Sequence, residues 1–98
     1  MAHIVQLFEK EGKTPLIRGA GPILNIILED SPFSAEHYDL EARLLFTKSP
    51  ELHGIRATYP AVLDFLVGNG FKLLTTHQRD FKDYKNATVY TFTNRCRI

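Results

Sequence analysis

Four histidines, one cysteine, three lone serines and eleven carboxylates are the side chains with which this 98-residue chain could do nucleophilic, acid–base or metal chemistry. His3, His37, His53 and His77 are scattered, and no two stand four apart, the helical spacing that sets two imidazoles on one ion. A zinc site needs three or four converging ligands, and Cys96 has no neighbouring thiol to share one. Cys96 also lies close to the C-terminus, where a buried, oriented thiolate is hard to build. Ser31 and Ser49 precede prolines and Ser34 suits a helix cap; none has the Gly-x-Ser-x-Gly setting of an activated hydroxyl. Glu29-Asp30 and the trio Glu36, Asp39 and Glu41 bracket turn signals. They read as solvated loop charges rather than as an acid–base pair held in a cleft. Gly19-Ala20-Gly21-Pro22 lacks the lysine and the direct run into a helix that a phosphate loop requires, and reads as a chain reversal. The expectation is no catalytic residue, no metal site and no cofactor.

The most suggestive surface segment is Arg79-Asp80-Phe81-Lys82-Asp83-Tyr84-Lys85. Phe81 and Tyr84, interleaved with Arg79, Lys82 and Lys85, have the composition of a base-stacking, phosphate-tracking strip. Asp80 and Asp83 cancel most of its charge, so a hairpin whose rings pack on the domain or on a partner explains it better. Arg79, Phe81, Lys82, Tyr84 and Lys85 are accordingly the candidate partner-binding residues.

The elements that must position them follow from pattern. Residues 3–9 are rich in strand formers and run into the turn signal Glu11-Gly12-Lys13. Pro15 to Arg18 suits a short second strand, since proline is tolerated at a strand start. The apolar run 23–28 reads as a buried strand on length and isoleucine content, with a helix as the alternative. Ser34 suits the cap of a short helix over 34–37. Residues 41–47 read as a strand, with Leu40, Leu44 and Phe46 alternating on one face, and a helix face of Leu40, Leu44 and Leu45 as the alternative. The clearest helix spans about 59–67: Thr58 or Tyr59 bounds it, and Pro60 fits its first turn. Val62, Leu63, Leu66 and Val67 form its apolar face, and Gly68-Asn69-Gly70 ends it. Residues 71–76 and 88–93 read as strands, joined by a segment, 78–87, too long for a tight turn. The sum is an α+β fold: one antiparallel-rich sheet with one or two helices packed on one face, in a single domain covering 1–98.

Composition bounds the rest. Hydrophobic residues at 44% against 23% charged exclude a disordered chain. A net charge of +1 gives no global support to nucleic-acid binding. A lone cysteine argues for a reducing compartment, and the start Met1-Ala2-His3-Ile4-Val5 lacks the basic flank and apolar run of a signal peptide. No apolar stretch approaches the roughly 20 residues of a membrane helix. The expected location is the cytoplasm, with no membrane partner.

Residues 60–76 resemble the C-terminal part of the GTP cyclohydrolase I feedback regulatory protein family. The likeness rests on Pro60, Val62, Leu63, Asp64, Leu66, Gly70, Phe71, Leu74 and Thr76, with 88–93 in a comparable place. Residues 79–86 depart from it, standing where the family has a short glycine-containing turn that helps form effector and partner surfaces. The N-terminal half shows no match, so no individual ligand residue is carried over. The resemblance implies a small non-enzymatic regulator that self-associates, docks on a larger protein and conveys a small-molecule signal. The competing expectations are a nucleic-acid module using the 79–85 segment and an enzyme whose site forms between subunits.

Overall fold

The computed structural model describes residues 2–38, 40–47 and 57–95. Eight elements follow in order: β1 (Ala2–Glu9), β2 (Leu16–Gly19), α1 (Gly21–Asp30), β3 (Phe33–Tyr38), β4 (Glu41–Thr47), α2 (Tyr59–Gly68), β5 (Lys72–Phe81) and β6 (Tyr84–Arg95). The six strands form one sheet in the order β3-β4-β2-β1-β6-β5, and every neighbouring pair is antiparallel. β1 and β6 make the long central ladder, from Ala2 opposite Arg95 to Glu9 opposite Thr88. β3 and β5 are the edges.

Strand alternation divides the sheet into two faces. Val5 and Leu7 of β1, Ile17 of β2, Ala42 and Leu44 of β4 and Phe92 of β6 point to one of them. Ile23, Leu24 and Ile27 of α1 and Val62 and Leu66 of α2 complete the same buried cluster. Both helices therefore cover one face, and the fold is α+β with a single antiparallel sheet.

The helix α2 forms where its sequence signals place it. Thr58 accepts from the Ala61 N–H at 3.4 Å as N-cap, and Pro60 occupies the first turn, where its missing N–H loses nothing. Its end is closed by backbone bonds from Asn69, Gly70 and Phe71 to the last carbonyls, with Gly70 at φ +85°.

Three expectations need correction. Residues 23–28 are helix, not strand: Pro22 sits in the first turn of α1, and Ile23, Leu24 and Ile27 are buried on one stripe while Asn25 is exposed. Residues 34–37 belong to strand β3, not to a capped helix. The Ser34 hydroxyl accepts from the Phe46 N–H at 3.3 Å and donates to the Phe46 carbonyl at 3.1 Å, bridging β3 to β4 where their register shifts. The segment 78–87 is no long connection: β5 runs on to Phe81, β6 begins at Tyr84, and only Lys82 and Asp83 turn the chain, with Lys82 at φ +52°. The connection expected at 48–51, Cys96 and the last residues lie outside the described residues.

Candidate functional site

On the face without helices, the β5–β6 hairpin bends back over its own sheet. β6 pairs with β1 only from Thr88 onward, so Tyr84 to Ala87 run past the end of β1. Asn86 takes φ +53° at this bend, and Asp80 Oδ1 accepts its N–H at 2.6 Å. The tip then lies across β1, β2 and β4. Tyr84, Ala87 and Val89 are buried with Phe8 and Leu16 in a second apolar cluster, against which Phe81 packs.

Rings, cations and carboxylates hold the tip down. The Phe81 ring stacks on Phe8 at 4.7 Å between centroids, and the Arg18 guanidinium lies 5.3 Å from the Phe81 centroid. The Tyr84 hydroxyl donates to the Thr14 carbonyl at 2.6 Å, and Arg43 stands over the Tyr84 ring at 5.7 Å. Asp83 accepts from Lys13 at 3.1 Å and from Arg43 at 3.2 Å, and Lys82 pairs with Glu41 of β4.

The Lys13 ammonium beside Asp83 holds its carboxyl below the ordinary value of 3.8, with Arg43 adding to the effect. A carboxylate depressed in the folded state adds stability above its unfolded pKa and loses it as pH falls through the folded one. The tip should therefore loosen below about pH 4, and Asp83→Asn should flatten that stretch of the stability curve. Chemical unfolding of both proteins between pH 2.5 and 7 reads the difference; identical curves would mean the pair is not formed in solution.

This arrangement fixes where the candidate residues stand. Arg79, Lys82 and Lys85 are exposed, Phe81 is half-buried against Phe8, and Tyr84 is fully buried. Tyr84 is therefore corrected from a partner-contacting residue to a core residue of the hairpin. The two rings face the sheet rather than outward, which leaves no paired stacking platform for bases.

An opening of about 520 Å³, wide to solvent, lies where the β1–β2 turn meets α2, between Glu9, Lys10, Glu11, Tyr59, Asn86 and Thr88. Its tyrosine is occupied: the Tyr59 hydroxyl accepts from the Lys10 N–H at 3.0 Å and donates to the Lys13 carbonyl at 2.7 Å. Burial raises the Tyr59 pKa. Beside this opening, Tyr90 donates to Glu9 Oε1 at 2.7 Å, and that carboxylate pushes its pKa up to about 12. A raised phenol stabilises the fold below its unfolded pKa and ceases to as pH rises through the folded one, here between about 10 and 12. Glu9→Gln should return Tyr90 towards about 10, read as phenolate absorbance against pH with Tyr90→Phe as the blank. An unmoved titration would refute the pair.

A slot of about 80 Å³ between Ile23, Ile27, Phe65 and Phe71 separates the two helices, and its asparagines serve the fold: Asn94 Nδ2 donates to the Asn69 carbonyl. Among the described residues no three His, Cys, Asp or Glu side chains converge as a metal site, and no helix is long and apolar enough to cross a membrane.

What pattern reading missed is β5 as a surface. Lys72 to Asp80 are all exposed, and as the last strand of the sheet β5 has one ladder satisfied by β6 and, among the described residues, none on its outer side. Leu73 is 52% exposed, Leu74 58% and Val67 of the adjoining helix 63%, the three most exposed large apolar residues of the described chain. The features together define a two-layer α+β domain, helices on one face, a hairpin latched on the other and one long open edge. Compared with protein-family models, curated proteins and solved structures, the chain matches none.

Proposed function

We propose that this chain is a small non-catalytic regulatory or protein-interaction domain, working by binding a larger protein or its own copies, as its resemblance to an enzyme feedback regulator implies. The observation that supports this reading is the β5 edge: ten residues of edge strand with Leu73 and Leu74 exposed. Outward leucines on an uncovered strand are costly for a monomer, because an open ladder is a template for pairing. The cytoplasm, where a lone cysteine stays reduced, is the compartment proposed for it.

The test is recovery of the tagged chain from its native cells, beside the double variant Leu73→Glu/Leu74→Glu. Both leucines are exposed, so the variant should fold with an unchanged circular dichroism spectrum and melting temperature. The reading predicts a complex of fixed stoichiometry with wild type and its loss with the variant. A bare monomer from wild type, or a complex indifferent to both substitutions, would contradict it.

A further inference from the structure

The β5 edge carries a chemical bias as well as an open ladder, and the register shows which side chains share each face. Lys72 stands opposite Thr93, Thr75 opposite Thr91, His77 opposite Val89 and Arg79 opposite Ala87. Those partners lie on the face without helices, so Lys72, Thr75, His77 and Arg79 line that side of the edge. Leu73, Thr76 and Gln78, opposite Phe92, Tyr90 and Thr88, line the helix side. Lys72 and Arg79 have no ion-pair partner among the described residues. The single carboxylate of the strand, Asp80, is already engaged by the Asn86 N–H.

We infer that β5 accepts, as a seventh strand, an extended segment of another protein that alternates carboxylate and apolar side chains, the carboxylates over Lys72 and Arg79 and the apolar residues beside Leu73. This rests on the interaction reading above and names the partner's chemistry. Main-chain hydrogen bonds to the open ladder supply affinity, and the period of two sorts the incoming side chains by face. A second copy of β5 fits less well. Antiparallel pairing keeps the two faces aligned, so Lys72 and Arg79 of both copies would gather on one side with no carboxylate to answer them. Edge cations of this kind are a usual guard against self-pairing, and an acidic strand turns the same charges into recognition.

Three blocked nine-residue peptides test this: one alternating glutamate and valine, one alternating lysine and valine, and the first with its central valine replaced by proline. Binding is read by fluorescence anisotropy at low and high salt, and the contact by hydrogen exchange on the full chain. The glutamate peptide should bind about tenfold or more tighter than the lysine peptide, weaken with salt and protect β5 alone. The proline peptide should not bind, and Lys72→Glu/Arg79→Glu should reverse the preference between the two charged peptides. These two side chains are exposed, so the variant keeps its fold, checked by circular dichroism. Equal binding of both charged peptides, binding of the proline peptide, or protection elsewhere would overturn the inference. Protection of β5 in a dimer of the isolated chain would give the edge to a second copy and overturn it too. If no peptide binds while the native complex still depends on Leu73 and Leu74, strand addition falls and the interaction reading stands.

Discussion

Tyr84→Ala is expected to cost about 3–5 kcal/mol of folding stability, the range for removing a large ring from a packed core. The residue is fully buried and belongs to the cluster of Phe8, Leu16, Ala87 and Val89, so its loss opens the whole second face. Part of the effect is polar. Tyr84→Phe removes only the bonds to the carbonyl and hydroxyl of Thr14 and should cost about 1 kcal/mol. A domain of this size holds about 5–15 kcal/mol in all, so Tyr84→Ala should move the denaturant midpoint far and lower the melting temperature by 10 °C or more, on the order of 4–8 °C per kcal/mol. A shift under about 1 kcal/mol, within the range of ordinary surface substitutions, would mean that the tip does not pack on the sheet.

The second large effect lies on the helix side. Leu24 is fully buried in α1, and Leu24→Asp must hold a carboxyl there. Keeping that group neutral at pH 7 costs about 4 kcal/mol from its ordinary pKa, and the lost leucine burial about 2 more. The sum rivals the stability of the domain, so the variant should be largely unfolded. Asn25→Asp, one residue on and exposed, should fall within about 0.5 kcal/mol of wild type. The pair also separates helix from strand. In a strand Asn25 would share a face with the buried Ile23 and Ile27, and its substitution would be felt.

That contrast explains what the sequence could and could not disclose. β1, β2 and α2 were legible because a local rule marks each: strand formers running into a turn signal, a proline at a strand start, a capping threonine before a proline. β4 fitted a helix face as well as a strand face, and its pairing with β2 and β3 decides it. The run 23–28 has an apolar residue at five of six positions, so no period shows until the sheet selects which side to bury. β3 was hidden by Ser34, whose hydroxyl suits a helix cap by local rules but bridges to Phe46 once β4 lies beside it. The turn at Lys82-Asp83 lacks glycine, and contacts from far along the chain hold it: Glu41 to Lys82, and Lys13 and Arg43 to Asp83. Composition marked the 79–85 segment as unusual, yet only the tertiary fold turns Phe81 and Tyr84 inward. The β5 edge was illegible for the same reason, since strand order is a property of the whole sheet.

The claim on which the account turns is that β5 is a formed strand with an open outer ladder, and hydrogen exchange of the isolated chain measures this most directly. Amides of Val5 to Phe8 in β1, flanked by both β2 and β6, should all exchange slowly. Within β5 protection should be partial, slow where an N–H points to β6 and near the unprotected rate where it points outward. Uniform protection along β5 would show the edge already covered, and uniform fast exchange would show that the strand is not formed; either result would contradict the account.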